Sequence, residues 1–232
     1  NHLQQLPDSI DALTGLISLN LDDNGITSLP NEFGRLTELR ALSMRNNKLR
    51  YLPLSMAGMT NLRRLDVEGN DFESPPMEVV GKGVEAVLEY LQSLSLGSSS
   101  DDIDLRSQNL EAVPVHVMQF NSMRGLLLDK NDLKFLPSNL GTLRSLKTLS
   151  VSENKLEEVP DTVGMLDQLQ ELHADGNKLT KLPATIGDLK SLEKLTLRNN
   201  DISELPPEIG SLLQLSELDI RDNPNLHTMP LE

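Results

Sequence analysis

Prolines recur along this chain every 23 residues, and no other feature of the sequence constrains its fold so strongly. Pro7, Pro30, Pro53 and Pro76 keep that interval, as do Pro114, Pro137, Pro160, Pro183 and Pro206, and Pro230 follows after 24. Six residues before the prolines runs a column of asparagines: Asn1, Asn24, Asn47, Asn70, Asn131, Asn154, Asn177 and Asn200. Gln108 fills the slot in the one unit that follows an interruption. The longer last interval would set Asn223 one residue out of the column. A unit this short cannot bury an apolar face alone, so the units must stack on one another.

The stretch LTELRALSMRNNKLRYLP (36–53) represents one unit. Apolar alternation at Leu42 and Met44 predicts a short strand with one face buried, pairing in parallel with its neighbours at about 4.8 Å. Leu49 and Leu52 continue the buried set, and the proline is expected to end the strand by removing a backbone donor. A second apolar set, Phe33, Leu36 and Leu39 or Ile186, Leu189 and Leu192, has the three-residue spacing of a short helical or 3₁₀ turn. Gly34, Gly141, Gly164, Gly187 and Gly210 recur within that outer segment.

The asparagine column has a physical reason. Where the strand turns outward, backbone groups point into the core without sheet partners, and leaving them unpaired would cost about 1–3 kcal/mol each. A carboxamide carries both a donor and an acceptor, so it can serve its own turn and the neighbouring one. Asn24, Asn47, Asn70, Asn131, Asn154, Asn177 and Asn200 are therefore expected to form a structural ladder. Gln108 keeps the chemistry on a longer stem.

With these residues in register, the units resemble leucine-rich repeats of the 23-residue LP-x-x-I-G-x-L type, as in the intracellular Ras-group proteins. The resemblance covers nearly the whole chain. It implies an α/β leucine-rich-repeat solenoid: a curved right-handed superhelix with a parallel concave sheet and short helical or 3₁₀ turns on the convex side. The expected organisation is a first run of repeats at 1–75, an inserted segment at 76–102 and a second run at 103–232, all in one continuous solenoid. Asn1 falls in mid-repeat, so the repeats are expected to begin earlier.

The segment ESPPMEVVGKGVEAVLEYLQSLSLGSSSDD (73–102) breaks the period: Pro76 to Pro114 spans 38 residues, 15 beyond one unit. Val80, Val84, Val87, Leu88, Leu91 and Leu94 follow the spacing of one apolar helical face, so an amphipathic helix is expected near 76–94. Pro75 and Pro76 suit its start, while Gly81 and Gly83 weaken its first turns by about 1 kcal/mol each. Gly97-Ser98-Ser99-Ser100 then releases the chain into a strand at Ile103 and Leu105. Gly-Lys-Gly at 81–83 lacks the pattern of a phosphate loop. PPMEVVGKGVEAVLEYL resembles a helix found in the family around leucine-rich repeat-containing protein 40, and at the repeat-to-GTPase junction of Roco-type proteins. It serves either as a structural joint or as a hinge or docking surface.

Residues between the buried strand leucines point onto the inner sheet face, where solenoids bind partners. One column holds Asn20, Ser43, Asp66, Asp104, Leu127, Ser150, His173, Thr196 and Asp219. A second holds Asp22, Arg45, Glu68, Arg106, Asp129, Ser152, Asp175, Arg198 and Arg221. These columns vary while the core columns repeat. The candidate partner-binding residues are Asp22, Arg45, Asp66, Glu68, Asp104, Arg106, Leu127, Asp129, His173, Asp175, Arg198 and Arg221. Leu127, apolar in a polar column, is the foremost anchor candidate. Asp22, Asp23, Asp66, Glu68, Asp102 and Asp104 outnumber Arg45, Arg64 and Arg106, which favours a basic partner. Tyr51 and Phe135 precede Leu-Pro in their units and are expected on the rim.

A formal charge of −14 argues against binding to nucleic acid or to an anionic membrane surface, both of which need a basic stripe. No apolar run reaches the roughly 18–20 residues of a membrane span. His173 and Asp175 alone suggest catalysis, and no nucleophile shares their register. The four histidines are scattered, the Asp101, Asp102 and Asp104 cluster lacks a calcium-loop pattern, and no motif calls for a metal or cofactor. With no cysteine and no Asn-x-Ser/Thr acceptor, the chain is read as intracellular.

The reading is a non-catalytic interaction scaffold that binds a protein through its concave face. By resemblance, the partner class is small GTPases or assemblies containing them. The alternatives are the recognition arm of a larger enzyme, such as a Roco-type GTPase or a ligase, and a secreted bacterial effector.

Overall fold

The computed structural model describes residues 2–97 and 101–227. The chain divides into two compact units, Asn1–Leu96 and Gly97–Glu232. The first carries three parallel strands, β1 (Ser18–Asn20), β2 (Ala41–Ser43) and β3 (Arg64–Asp66). The second carries six: β4 (Asp102–Asp104), β5 (Gly125–Leu127), β6 (Thr148–Ser150), β7 (Glu171–His173), β8 (Lys194–Thr196) and β9 (Glu217–Asp219). Each strand pairs with the residue 23 positions on, so Leu19 lies beside Leu42 and Leu42 beside Leu65. Sequence period and sheet register are the same number.

The coils inside each stack bury two apolar sets. Leu42, Met44, Leu49 and Leu52 fill the sheet side, and Phe33, Leu36 and Leu39 fill the opposite side. The second set follows a 3₁₀ turn, as at Phe33–Arg35 and Ala184–Asp188. Gly187 lets consecutive outer turns approach: a Cβ there would stand 2.5 Å from the carbonyl oxygen of Glu208 in the next coil. A side chain would force the coils apart.

The prolines do something other than expected. β2 ends at Ser43, well before Pro53, whose φ of −65° leads straight into the 3₁₀ turn Leu54–Gly58. The Pro53 carbonyl accepts from Met56 N at 3.0 Å, and Pro30, Pro114 and Pro183 accept in the same way. A fixed φ favours entry to a helical turn, so proline opens the outer turn rather than closing the strand.

The residue before each ladder position takes a left-handed conformation, with φ of 56° at Asp23, 52° at Asn46, 58° at Lys130, 53° at Glu153 and 54° at Asn199. Gly69 and Gly176 hold the same place at 73° and 64°. The residue types are too mixed for the sequence to announce this turn.

The interruption holds two helices, not one. α1 (Met77–Val80) and α2 (Val84–Gly97) are separated at Gly81-Lys82-Gly83, where Gly83 has φ of 102°. The glycine pair breaks the helix rather than merely weakening it. One period after β3 the chain is in α2 instead of a strand. Val87, Leu91 and Leu94 are buried as expected, but Val80, Val84 and Leu88 are half-buried, and Val79 and Tyr90 take fully buried places instead. The Tyr90 hydroxyl lies 2.8 Å from buried Ser74 Oγ, and burial pushes its pKa above the ordinary tyrosine range. Ser98, Ser99 and Ser100 of the expected loop lie outside the described residues.

Candidate partner-docking surface

The surface is built on the asparagine column beneath it. Asn47 Nδ2 donates to the carbonyls of Met44 and Arg45 in its own turn and of Leu21 in the preceding coil, while its Oδ1 accepts from Ile26 N. Asn131, Asn154, Asn177 and Asn200 repeat the pattern, each reaching back 26 residues with Nδ2 and 21 with Oδ1. Asn24 and Asn70 bond in the same sense near the ends of their column. At Gln108 the backbone N–H donates to Asn131 Oδ1 at 2.9 Å. Asn223 stays in the column, 23 residues after Asn200, and bonds to Leu197 O, Ile220 O and Ile202 N. The extra residue of the last interval falls beyond it.

Above this spine the two variable columns lie abreast: Asn20, Ser43 and Asp66 on the first sheet, and Asp104, Leu127, Ser150, His173, Thr196 and Asp219 on the second. Three aspartates of the neighbouring column are not loose charges. Asp22 Oδ1 accepts from Ser43 Oγ at 2.6 Å and from Arg45 N at 2.7 Å. Asp129 Oδ1 accepts from Ser150 Oγ at 2.5 Å and from Ser152 N at 2.9 Å. Asp175 accepts from Thr196 Oγ1 at 2.6 Å and from Arg198 N at 2.7 Å. Each aspartate clips its coil to the next, and the Ser43 hydroxyl is the leading cause holding the Asp22 carboxyl below its ordinary range. The signal was in the sequence: a Ser or Thr stands 21 residues after each of these aspartates.

The arginines are also engaged. Arg106 grips Asp104 with Nε at 2.9 Å and Nη2 at 2.6 Å, which lowers the carboxyl pKa. Arg221 grips Asp219 in the same geometry and, with its backbone N–H, brings that carboxyl down to about 2. Arg45 bridges Asp66, at 3.7 Å, and Glu68, while Arg198 Nε holds Asp222 at 2.6 Å. The structure therefore joins several candidate site residues to one another, which sequence columns alone do not reveal.

His173 and Asp175 do not pair. Thr196 Oγ1 gives its hydrogen to Asp175 and lies 3.2 Å from His173 Nδ1. Nε2 lies 3.1 Å from Glu171. The arrangement orients the imidazole without presenting a base to a nucleophile. Leu127 is half-buried in its polar row. Tyr51 is 37% exposed, with its hydroxyl on Glu73 at 2.5 Å, and Phe135 is 58% exposed.

Comparison with known proteins agrees with this geometry. A leucine-rich repeat region model matches residues 102–199, a leucine rich repeat model matches 1–49 and 14–72, and another matches 191–212. This chain is built of leucine-rich repeats. It is similar to a leucine-rich-repeat protein of Leptospira interrogans, with 33% identity and a TM-score of 0.55 over 100% of this chain and 58% of that one. It is also similar to the plant peptide hormone receptor RGFR1 in complex with RGF2, at 25% identity and a TM-score of 0.50, covering 93% of this chain and 34% of that one. Internalin C2 of Listeria monocytogenes shares the fold at 23% identity and a TM-score of 0.50, over 95% of this chain and 84% of that one. No curated protein matches. This leucine-rich-repeat chain thus spans less than two thirds of the first two proteins. No helix among its described residues is long and apolar enough to cross a membrane.

Proposed function

We propose that this leucine-rich-repeat protein is a non-catalytic scaffold that docks another protein through the concave sheet face. The observation that carries the reading is the contrast between columns. The buried leucines and asparagines repeat from coil to coil, while Asp104, Leu127, His173 and Asp219 differ in a single row across one sheet. A surface that served only stacking would repeat as the core does. The peptide complex of the plant receptor supports docking on such a scaffold.

The likeness to the Ras-group type and to the family around leucine-rich repeat-containing protein 40 supports a partner in small-GTPase signalling. The lack of cysteine and of glycosylation acceptors supports an intracellular setting. The test is quantitative pull-down with Leu127→Arg, which places a charged stem in the row on its second strand, β5. Met165→Arg, on the exposed 3₁₀ side, is the control. Leu127→Arg should lose the captured proteins and Met165→Arg should keep them, with both melting like the parent. A Leu127→Arg variant that captures the same set would refute concave docking.

A further inference from the structure

The charges on the second unit's sheet face do not balance locally. Every Arg in its two variable columns, and Lys194 at the start of β8, is held by a carboxylate: Arg106 by Asp104, Lys194 by Glu217 at 3.0 Å, Arg198 by Asp222 and Arg221 by Asp219. Asp129 and Asp175 instead accept only from hydroxyls and backbone N–H groups. Those bonds fix the two carboxylates in place without a cation in hydrogen-bond or ion-pair contact, so the charge of Arg106 near Asp129, and of Lys194 and Arg221 near Asp175, reaches them only from a distance. Asp129 takes both of its bonds on Oδ1, so Oδ2 remains able to accept.

Leu127 lies in the same coil as Asp129. Two residues before it, Gly125 has no side chain, and the Asp102 carboxylate leans over the spot where a Cβ would stand. An apolar side chain is thus set among carboxylates on the second strand of the sheet. Asp129 and Asp175 occupy equivalent places two strands apart, hence about 10 Å. That is the reach of about three residues of extended chain.

We infer that this face takes an extended basic segment of the partner, resting an apolar side chain on Leu127 and setting two Lys or Arg side chains, about three residues apart, against Asp129 and Asp175. The inference rests on docking through the concave face and adds the chemistry of what docks. Fixed carboxylates favour a cationic segment because no further ordering is needed to form the charge-assisted bonds.

The test uses the full chain and fluorescein-labelled nine-residue peptides with a central leucine and flanking lysines at three-residue spacing. Glutamate and glutamine counterparts complete the set, and fluorescence anisotropy is the readout. The lysine peptide should bind, and its affinity should fall by about tenfold between low and physiological salt. Asp129→Asn keeps one amide oxygen for both clip bonds, Asp175→Asn keeps one for Arg198 N and turns an amide donor toward the Thr196 hydroxyl, and both remove the charge. Together they should weaken binding by about tenfold or more, as Leu127→Ser should alone, while Asp161→Asn on the far side should change nothing. Equal binding of the glutamate peptide, or an equal loss in Asp161→Asn, overturns the inference. If no peptide binds while Leu127→Arg still loses the captured proteins, the basic segment is refuted and concave docking stands. If no peptide binds and Leu127→Arg captures the parental set, both fail.

Discussion

Asn154 Nδ2 donates to the carbonyl of Leu128, 26 residues earlier, at 3.0 Å, while Asn154 Oδ1 accepts from Leu133 N at 3.1 Å. One side chain therefore closes hydrogen bonds in both directions between two coils. It also serves the carbonyls of Val151 and Ser152 in its own turn.

Replacing Asn154 with Leu strands these buried groups and should destabilise the fold by about 3 kcal/mol. Asn154→Asp keeps an acceptor for Leu133 N but points a carboxylate at three carbonyls, so it should cost at least as much. Urea unfolding of the three proteins measures this, and a parental midpoint in Asn154→Leu would end the ladder argument.

Thr196→Val removes the hydroxyl that clips Asp175 while keeping the side chain's shape. It should cost about 1 kcal/mol, the net worth of one hydrogen bond. His173 Nδ1 loses its partner in the same step, so its imidazole resonance should shift in an NMR spectrum. A spectrum unchanged at His173 would remove Thr196 from that relay.

Gly69 and Gly176 share the left-handed turn but not its surroundings. At Gly176 a Cβ would meet atoms of Glu153 at an ordinary 3.5 Å, so Gly176→Ala should cost about 1–2 kcal/mol from backbone strain alone. At Gly69 a Cβ would collide with Asn46 Oδ1, so Gly69→Ala should cost more. Thermal melting of the two variants tests the order, and equal losses would show that the Asn46 contact does not resist.

Acid should loosen the coils. Asp219 has a folded pKa of about 2 against an ordinary 3.8, and Asp22 and Asp104 are lowered too. A depressed carboxyl pKa contributes stability that is complete above the unfolded value and is lost as pH falls through the folded one. Melting temperature should therefore decline as pH drops from above 4 toward 2. Asp219→Asn should flatten part of that decline, and an identical pH profile would remove Asp219 from it.

The repeat was legible because its unit is short and each position has one task. Leu42, Asn47 and Leu49 recur since stacking places each in the same environment, so their identity follows from the period. The same logic misplaced Pro53, because a missing donor fits the end of a strand as well as the entry to a 3₁₀ turn. It also missed the break at Gly83. Periodicity aligned Val80 with α2, but a positive φ at Gly83 separates α1, which buries Val79 instead, while Tyr90 is buried on α2.

The sequence by itself determined the coil length, the strand register and the buried spine, since those follow from local spacing repeated many times. Only the tertiary structure decided which exposed charges are free to meet a partner. Asp104 grips Arg106 within its own coil, whereas Asp129 holds the Ser150 hydroxyl of the next. Acidic residues that look alike in the sequence thus divide into those gripped by an arginine and those held by hydroxyl and backbone donors. The physical reason is that hydrogen-bond partners one coil apart lie 21–23 residues away in the chain but in direct contact across the sheet.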